Sequence, residues 1–195
     1  SIIESLIDQS YAPVTLFKPI LDTYMLPVLM ARFPKAKAIF AFRHFDDVIN
    51  SSLKRFGKNN RLNHVRAWVE EDFSEFAAAP PPEKTKVLIR EMWDPSLSPE
   101  SGAALYWLFQ NSLYFDLGMD QSNRIKLIQY ESVASNPVEK FRSLCEFLGI
   151  PFEPQIAAGV FSSSIGRNLS PTIDPGIRAA CDELWQQLCC HEAAE

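Results

Sequence analysis

Two short apolar runs stand out from a chain whose other apolar residues recur mostly at helical spacing. Lys37 to Phe42 reads KAIFAF and Ile125 to Tyr130 reads IKLIQY, with the length and the Ile and Phe content typical of buried strands. Val14 to Phe17 (VTLF) is a third and briefer strand candidate. Because buried strands separated by helices are typical of parallel crossover units, the pattern predicts an α/β fold with a small parallel sheet flanked by many helices.

The spacing of the remaining apolar residues predicts helices between and after these strands. A helix over 22–31 would form the crossover between the first two strands, and Asp46 and Asp47 are good N-caps for the helix that ends before Gly57. Asn136 with Glu139 resembles a capping box. The other predicted helices cover 63–79, 99–117 and 137–148, and a last helix follows Asp174-Pro175. The segment 84–93 fits either a helix or a strand, and we favour a helix.

Composition narrows the class of protein. The chain has 195 residues, 47% of them hydrophobic and 22% charged, which is ordinary for a globular protein with a real core. A net charge of -5 argues against a general partner of nucleic acid or of anionic membranes. We see no transmembrane stretch and no signal peptide. The four cysteines lack metal-ligand spacing and are read as reduced thiols, which fits a cytoplasmic protein.

Polar side chains follow each of the three predicted strands. Lys18 follows the first strand, Arg43 ends the second, and Tyr130-Glu131 end the third. Because the carboxyl ends of parallel strands meet at one edge of a sheet, where ligands bind, we expect these side chains to lie near one another. Ser51, eight residues after Arg43, falls on the same helical face as Asp47.

An arginine, a hydroxyl and a helix N-terminus together suit a phosphate group. Arg43 and Ser51 could therefore converge on one phosphate, and Tyr130 could lie against a purine ring. The alternative is structural: Arg43 would pair with Asp46 or Asp47, and Tyr130 would be an ordinary strand aromatic. Spacing alone leaves both interpretations open.

The segment from Phe33 to Phe56 resembles the 3′-phosphate-binding segment of sulfotransferases that use 3′-phosphoadenosine 5′-phosphosulfate (PAPS). In that family an Arg ends the strand, an Asp follows four residues on and a Ser eight residues on; here these are Arg43, Asp47 and Ser51. A later stretch, IQYESVASNPVEKFRSLCEFLGIPFEP, is similar to a second block of the family, with Tyr130-Glu131 and the Phe-Leu-Gly helix end at 147–149. The resemblance extends from about Leu16 to the C-terminal helix and implies a P-loop NTPase-like fold.

The resemblance also implies an activity: transfer of a sulfuryl group from PAPS to a hydroxyl or amine of a small-molecule acceptor, with no metal. Arg43 and Ser51 would bind the 3′-phosphate of the donor, and Tyr130 would lie near the adenine. Lys18 matches a lysine that assists the transferring sulfuryl group. Arg167, in the loop SSSIGRNLSPTID, would close over the nucleotide phosphates.

The chain departs from the family at several positions. The glycine-containing turn that holds the 5′-phosphosulfate, with an Arg-Ser-Gly-Thr-like sequence, has no counterpart, since no glycine precedes Gly57. We therefore expect residues 1–195 to form a single sulfotransferase-like domain that is N-terminally incomplete. It would lack this loop and the strand that precedes the loop in the family. Phe45 stands where the family commonly has proline, and we expect it to alter only the turn.

The general base is not evident from the sequence. Several members place it two residues after the lysine, where this chain has Ile20, which cannot accept a proton. Asp22 and His64 are candidate substitutes, although Asp22 could instead cap a helix and His64 could be a solvated helix residue. We expect His44 to pack or hydrogen-bond in the turn.

Two other functions remain open at this stage. The first is a nucleotide-dependent phosphotransferase of the wider P-loop class, which would prefer ATP and Mg²⁺. The second is a non-catalytic or degenerate nucleotide-binding module that keeps the α/β core as a scaffold. The acceptor is not identified by the sequence, and its pocket is expected between the segments 57–79 and 97–115.

Overall fold

The computed structural model of the protein describes residues 2–18, 23–72 and 82–194. Its strands β1 (Ala38–Phe42) and β2 (Ile125–Gln129) pair in parallel, with Ala38 opposite Ile125 and Phe42 opposite Gln129. The helices are α1 (Ile2–Asp8), α2 (Leu26–Arg32), α3 (Phe45–Phe56), α4 (Asn60–Glu70), α5 (Glu83–Met92), α6 (Pro99–Asp116), α7 (Tyr130–Ser135), α8 (Pro137–Leu148) and α9 (Pro175–Ala194). The predicted small parallel sheet flanked by many helices is confirmed.

Helix α6 is the central packing element. Its sequence is apolar on nearly every side, and most of its residues are buried. Ser98 caps it by accepting a hydrogen bond from the Ser101 N–H (3.1 Å), and Pro99 occupies the first turn, as the sequence predicts. Helices α3, α4, α5 and α9 all pack against it. Within the described ranges, no helix is long and apolar enough to cross a bilayer.

Helices α4 and α6 approach each other closely at Gly102. A Cβ atom added to Gly102 would lie 2.9 Å from the Cα of Leu62 and 2.5 Å from its Cδ1, too close for any side chain. Glycine is therefore required for this packing distance. The close approach brings the first turns of α4, which carry Arg61 and His64, against Tyr106 of α6.

The predicted strand over Val14–Phe17 is wrong. These residues pair with no strand in the described part of the chain, and Leu16 is exposed. A β-strand needs a neighbour for its backbone hydrogen bonds, and local propensity cannot supply one. The predicted crossover from this segment to Lys37–Phe42 is therefore not observed, and the parallel pair joins β1 to β2 instead.

Helix boundaries depart from the sequence prediction at several points. The N-cap of α3 is His44, whose Nδ1 accepts the N–H of Asp46 (3.3 Å), so Asp46 and Asp47 lie in the first turn and are not caps. Tyr130 does not end a strand but begins α7. Helix α4 ends at Glu70, and residues 73–79 of the helix predicted there lie outside the described residues.

The two predicted N-caps in the second half of the chain have different outcomes. Asp174 Oδ1 accepts the N–H groups of Gly176 (2.8 Å) and Ile177 (3.1 Å), so the cap of α9 is confirmed. Asn136 precedes α8 but its side chain makes no capping hydrogen bond, so the predicted capping box is wrong. The backbone of Asn136 already serves as the C-terminal cap of α7, and its φ of -132° and ψ of 61° suit that junction.

These two positions give a matched test of capping. We expect Asp174→Ala to lower the free energy of unfolding by about 1 kcal/mol, because it removes the acceptor for two helix-terminal N–H groups. Asn136→Ala should change it by less than about 0.5 kcal/mol, since no capping bond is lost. Urea unfolding of both variants measures the difference, and equal losses would contradict the capping assignment.

Candidate functional site

The carboxyl ends of β1 and β2 are joined by hydrogen bonds around Arg43. The Trp107 indole Nε1 donates to the backbone carbonyl of Arg43 (2.9 Å), which fixes the turn after β1 against α6. The next N–H, that of His44, donates to Glu131 Oε1 in the first turn of α7 (3.0 Å). These two hydrogen bonds hold the turn after β1 against α6 and against α7, the helix that follows β2. The turn lies at the sheet edge that the sequence predicts as a ligand site.

The Arg43 side chain lies between a carboxylate and an aromatic ring. Its Nη2 donates to Asp47 Oδ2 (3.0 Å), and its guanidinium carbon lies 4.5 Å from the centre of the Tyr130 ring. The ion pair is partly buried, with 23% of the Arg43 side chain and 7% of the Asp47 side chain exposed. The predicted alternative, a pair with Asp47, is therefore present, and Tyr130 is a stacking partner of Arg43 at the start of α7.

The late loop reaches this edge, as predicted. The Gly166 N–H donates to the same Oδ2 of Asp47 (3.0 Å), and Asn50 Nδ2 donates to the Leu169 carbonyl (3.0 Å). Gly166 has a φ of +59°, a left-handed conformation that a glycine adopts without strain. Arg167 follows directly and is exposed.

Ser51 lies on the same face of α3 as Asp47, four residues further along, and is exposed. Its neighbour Ser52 is buried and accepts a hydrogen bond from Arg61 Nε (3.0 Å). Sequence reasoning did not single out Arg61. The sequence shows only an arginine near the start of the helix that follows α3. The contacts of Arg61 are made with residues of two other helices, and no local pattern reveals them.

The two catalytic candidates, Lys18 from the resemblance and Asp22 as a substitute base, are not joined to this edge by a contact among the described residues. Lys18 is exposed. Asp22 lies outside the described residues. Their predicted catalytic roles stay predictions.

Glu131 contributes an acceptor to the edge. While its Oε1 accepts the His44 N–H, its Oε2 is buried without a hydrogen-bond partner among the described residues. A buried carboxylate oxygen gains from a donor, so a ligand hydroxyl or amine near this atom would be stabilised. The site thus combines a cation, a hydroxyl, an aromatic ring and one available acceptor.

The turn between Arg43 and α3 is part of the hydrophobic core. His44 stacks on Phe45 (4.5 Å between ring centres) and meets Trp185 edge-on (4.9 Å), which confirms that it packs in the turn. Phe45 is 0% exposed, lies 5.5 Å from the Trp107 ring and has the Arg178 guanidinium 5.2 Å from its own ring. The expectation that Phe45 alters only the turn is therefore wrong.

His64 lies half-buried in an aromatic cluster between α4 and α6. Its ring centre is 5.6 Å from that of Tyr106 and 6.4 Å from that of Trp68. Burial lowers the pKa of His64, and the positive charge of Arg61 lowers it further. The imidazole is therefore kept neutral near pH 7, the form that accepts a proton.

A groove of about 930 Å³ opens beside α3 at Asn50 and Leu53. Its other walls are the connection between α5 and α6 and the segment before α9. Three carboxylates line it, those of Asp94, Glu100 and Asp174, with hydroxyls from several serines and Thr172 but no Lys or Arg. This lining does not suit a phosphate or a sulfate, because the carboxylates would repel an anion.

One family of known proteins matches the part of the chain that carries these residues. A family model described as "Sulfotransferase domain" matches residues 7–168 of the chain. The matched range contains both strands and all the candidate site residues, from Lys18 to Arg167. No curated protein and no solved structure gave a match.

Proposed function

Because the chain belongs to the sulfotransferase domain family, whose members are transferases with an α/β P-loop-like fold, we propose that it uses PAPS as its sulfuryl donor. The acceptor would be a small molecule with a hydroxyl or amine. The observation that supports the donor is the face of α3 at the carboxyl end of β1, where Arg43, Asp47 and Ser51 follow one another at four-residue spacing beside Tyr130.

The residues on this face fit the 3′-phosphate and purine of such a donor. Asp47 orients the Arg43 guanidinium through one Nη, and a guanidinium has further N–H donors with which to bind a phosphate. Ser51 presents a hydroxyl on the same face of the helix, and the Tyr130 ring offers an aromatic surface for the base. The Gly166 contact with Asp47 brings the late loop to this face, which supports the proposal that Arg167 closes over the bound nucleotide.

When bound, the donor supplies the sulfuryl group, whose bond to the phosphate oxygen breaks as a bond from the acceptor oxygen or nitrogen forms. Lys18 is proposed to stabilise the negative charge on the departing phosphate. The acceptor must lose a proton, and Asp22 and His64 are the proposed bases. The lowered pKa of His64 favours the neutral imidazole that this role requires.

The donor is assigned to the Arg43 face and not to the groove beside Asn50. Three carboxylates line the groove without a basic side chain, so a nucleotide with several negative charges would be repelled there. The groove includes Leu97, Ser98, Glu100 and Ser101, which belong to a segment expected from the sequence to form the acceptor pocket. An uncharged or cationic acceptor fits this lining better than an anionic one.

Thermal unfolding in the presence of nucleotides tests the proposed donor. Adenosine 3′,5′-bisphosphate should raise the midpoint of unfolding well above the value that an equal concentration of AMP produces, because only the former carries a 3′-phosphate for Arg43 and Ser51. Equal midpoints with the two nucleotides would contradict the 3′-phosphate assignment. A shift that required ATP and Mg²⁺ would favour a phosphotransferase instead.

A further inference from the structure

Arg61 is a half-buried cation between two aromatic rings. Its guanidinium carbon lies 4.3 Å from the centre of the Tyr106 ring and 4.7 Å from that of Phe56. Its Nε donates to Ser52 Oγ (3.0 Å). These contacts fix the plane of the guanidinium and leave its terminal Nη groups without a hydrogen-bond partner among the described residues.

In the part of the chain that the structure describes, the charge of Arg61 is not balanced by a carboxylate. No Asp or Glu in the described ranges forms an ion pair with it. Its titratable neighbour His64 is kept mainly neutral near pH 7, by burial and by the charge of Arg61 itself. A partly buried cation without an anion is unfavourable unless a ligand supplies one.

The two cations at the start of α3 differ from Arg61 in this respect. Arg43 is paired with Asp47 (3.0 Å), and Arg178 is paired with Asp46 (3.1 Å). The positive charge at both places is thus partly offset by the protein. Ser51 is adjacent in the chain to the Ser52 that Arg61 contacts, and no carboxylate among the described residues offsets the charge of Arg61.

We propose that Arg61 is a second cationic ligand of the nucleotide 3′-phosphate, which it approaches across the Ser51–Ser52 step of α3. The proposal rests on the proposed function, because it takes the Arg43 and Ser51 face as the 3′-phosphate site. Arg43 then acts from the start of the helix, where Asp47 orients it, and Arg61 supplies net charge from the neighbouring helix. The rings of Phe56 and Tyr106 hold Arg61 in place before the ligand arrives.

The variant Arg61→Gln tests this by calorimetric titration. The quantity to compare is the ratio of the dissociation constants of AMP and adenosine 3′,5′-bisphosphate, because general damage to the fold weakens both. We expect this ratio to fall by about tenfold or more, as when a charge-assisted hydrogen bond is lost. Arg66→Gln is the matched control: it removes the same charge from an exposed position on the same helix, and the ratio should stay near that of the unmodified protein.

A second readout needs no variant at Arg61. Since the Arg61 charge lowers the pKa of His64, a dianion bound to Arg61 would offset that charge and raise the pKa. NMR titration of the His64 ring, assigned with His64→Gln, should show the rise with adenosine 3′,5′-bisphosphate and a smaller one or none with AMP. This measurement decides the matter if Arg61→Gln does not fold.

The outcomes separate this inference from the proposed function. If the unmodified protein binds both nucleotides equally, the 3′-phosphate assignment fails, and the role of Arg61 fails with it. If it prefers adenosine 3′,5′-bisphosphate and Arg61→Gln keeps the full preference, only the role of Arg61 is overturned. Equal losses in the Arg61 and Arg66 variants would also overturn it, since they would indicate a general effect of charge.

Discussion

Arg43→Ala is expected to abolish the preference of the protein for adenosine 3′,5′-bisphosphate over AMP. The guanidinium lies at the carboxyl end of β1, held by Asp47 (3.0 Å) and by the Tyr130 ring (4.5 Å). An arginine–phosphate contact is charge-assisted and contributes about 1.5–3 kcal/mol, so the affinity for the bisphosphate should fall roughly tenfold to hundredfold. The affinity for AMP, which has no 3′-phosphate, should change much less.

The same substitution also affects stability, which the measurement must separate from binding. Without Arg43, the Asp47 carboxylate, only 7% exposed, keeps the Gly166 N–H as a donor but loses its cation. Some loss of stability follows, since a partly buried charge is left without its counter-ion. The ratio of the two nucleotide affinities, measured by calorimetry on the folded variant, is insensitive to that loss.

A matched control is available in Arg142→Ala. Arg142 on α8 also stacks on an aromatic ring, with its guanidinium carbon 5.1 Å from the centre of the Phe152 ring. Its removal should leave the ratio of nucleotide affinities unchanged. A ratio that survives Arg43→Ala, or that falls equally in both variants, would contradict the role given to Arg43.

Phe45→Ala is expected to lower the free energy of unfolding by about 3–5 kcal/mol, the largest effect on stability that we predict. The side chain is 0% exposed and packs between the His44 and Trp107 rings under the Arg178 guanidinium. Its removal leaves a cavity beside the turn that carries Arg43. Urea or thermal unfolding measures the loss.

Phe161→Ala serves as the control for this prediction. Phe161 is 69% exposed in the loop before Ser162–Ser164, so its truncation should change the free energy of unfolding by less than about 0.5 kcal/mol. A similarly small effect of Phe45→Ala would show that the turn after β1 is not part of the core. The explanation of how the fold positions Arg43 would then be wrong.

The sequence predicted the elements whose signals are local. The apolar runs at β1 and β2 and the proline-started helices α6 and α8 follow from periodicity and turn chemistry, and Gly149 ends α8 with a φ of +75° as expected. The parallel sheet was predicted from a crossover between 14–17 and 37–42, whereas the parallel pair that forms joins β1 to β2. Arg43 and Tyr130 were found as candidates because each lies where a strand ends.

The parts that the sequence missed depend on contacts between distant segments. Phe45 appeared to be a turn residue because nothing near it in the chain reveals Trp107 or Arg178. The ring nitrogen of His44 caps α3, whereas Asp46 forms an ion pair with Arg178 and Asp47 forms one with Arg43. These ion pairs compete with capping, and only the folded arrangement decides between them.

The segment over 14–17 shows the limit of strand propensity. Its Val, Leu and Phe favour a strand, but a strand also requires a hydrogen-bonded neighbour, and the segment has none among the described residues. Arg61 illustrates the same limit for the site. Its position beside Ser52 depends on the close packing of α4 on α6 at Gly102, which no local pattern indicates.

The central claim is that the Arg43 and Ser51 face of α3 binds a nucleotide 3′-phosphate, and one calorimetric comparison tests it most directly. Adenosine 3′,5′-bisphosphate and AMP are titrated into the unmodified protein at the same pH and ionic strength. We predict that the bisphosphate binds at least about tenfold more tightly, as expected when a second phosphate gains charge-assisted hydrogen bonds. Equal dissociation constants for the two nucleotides would contradict the claim.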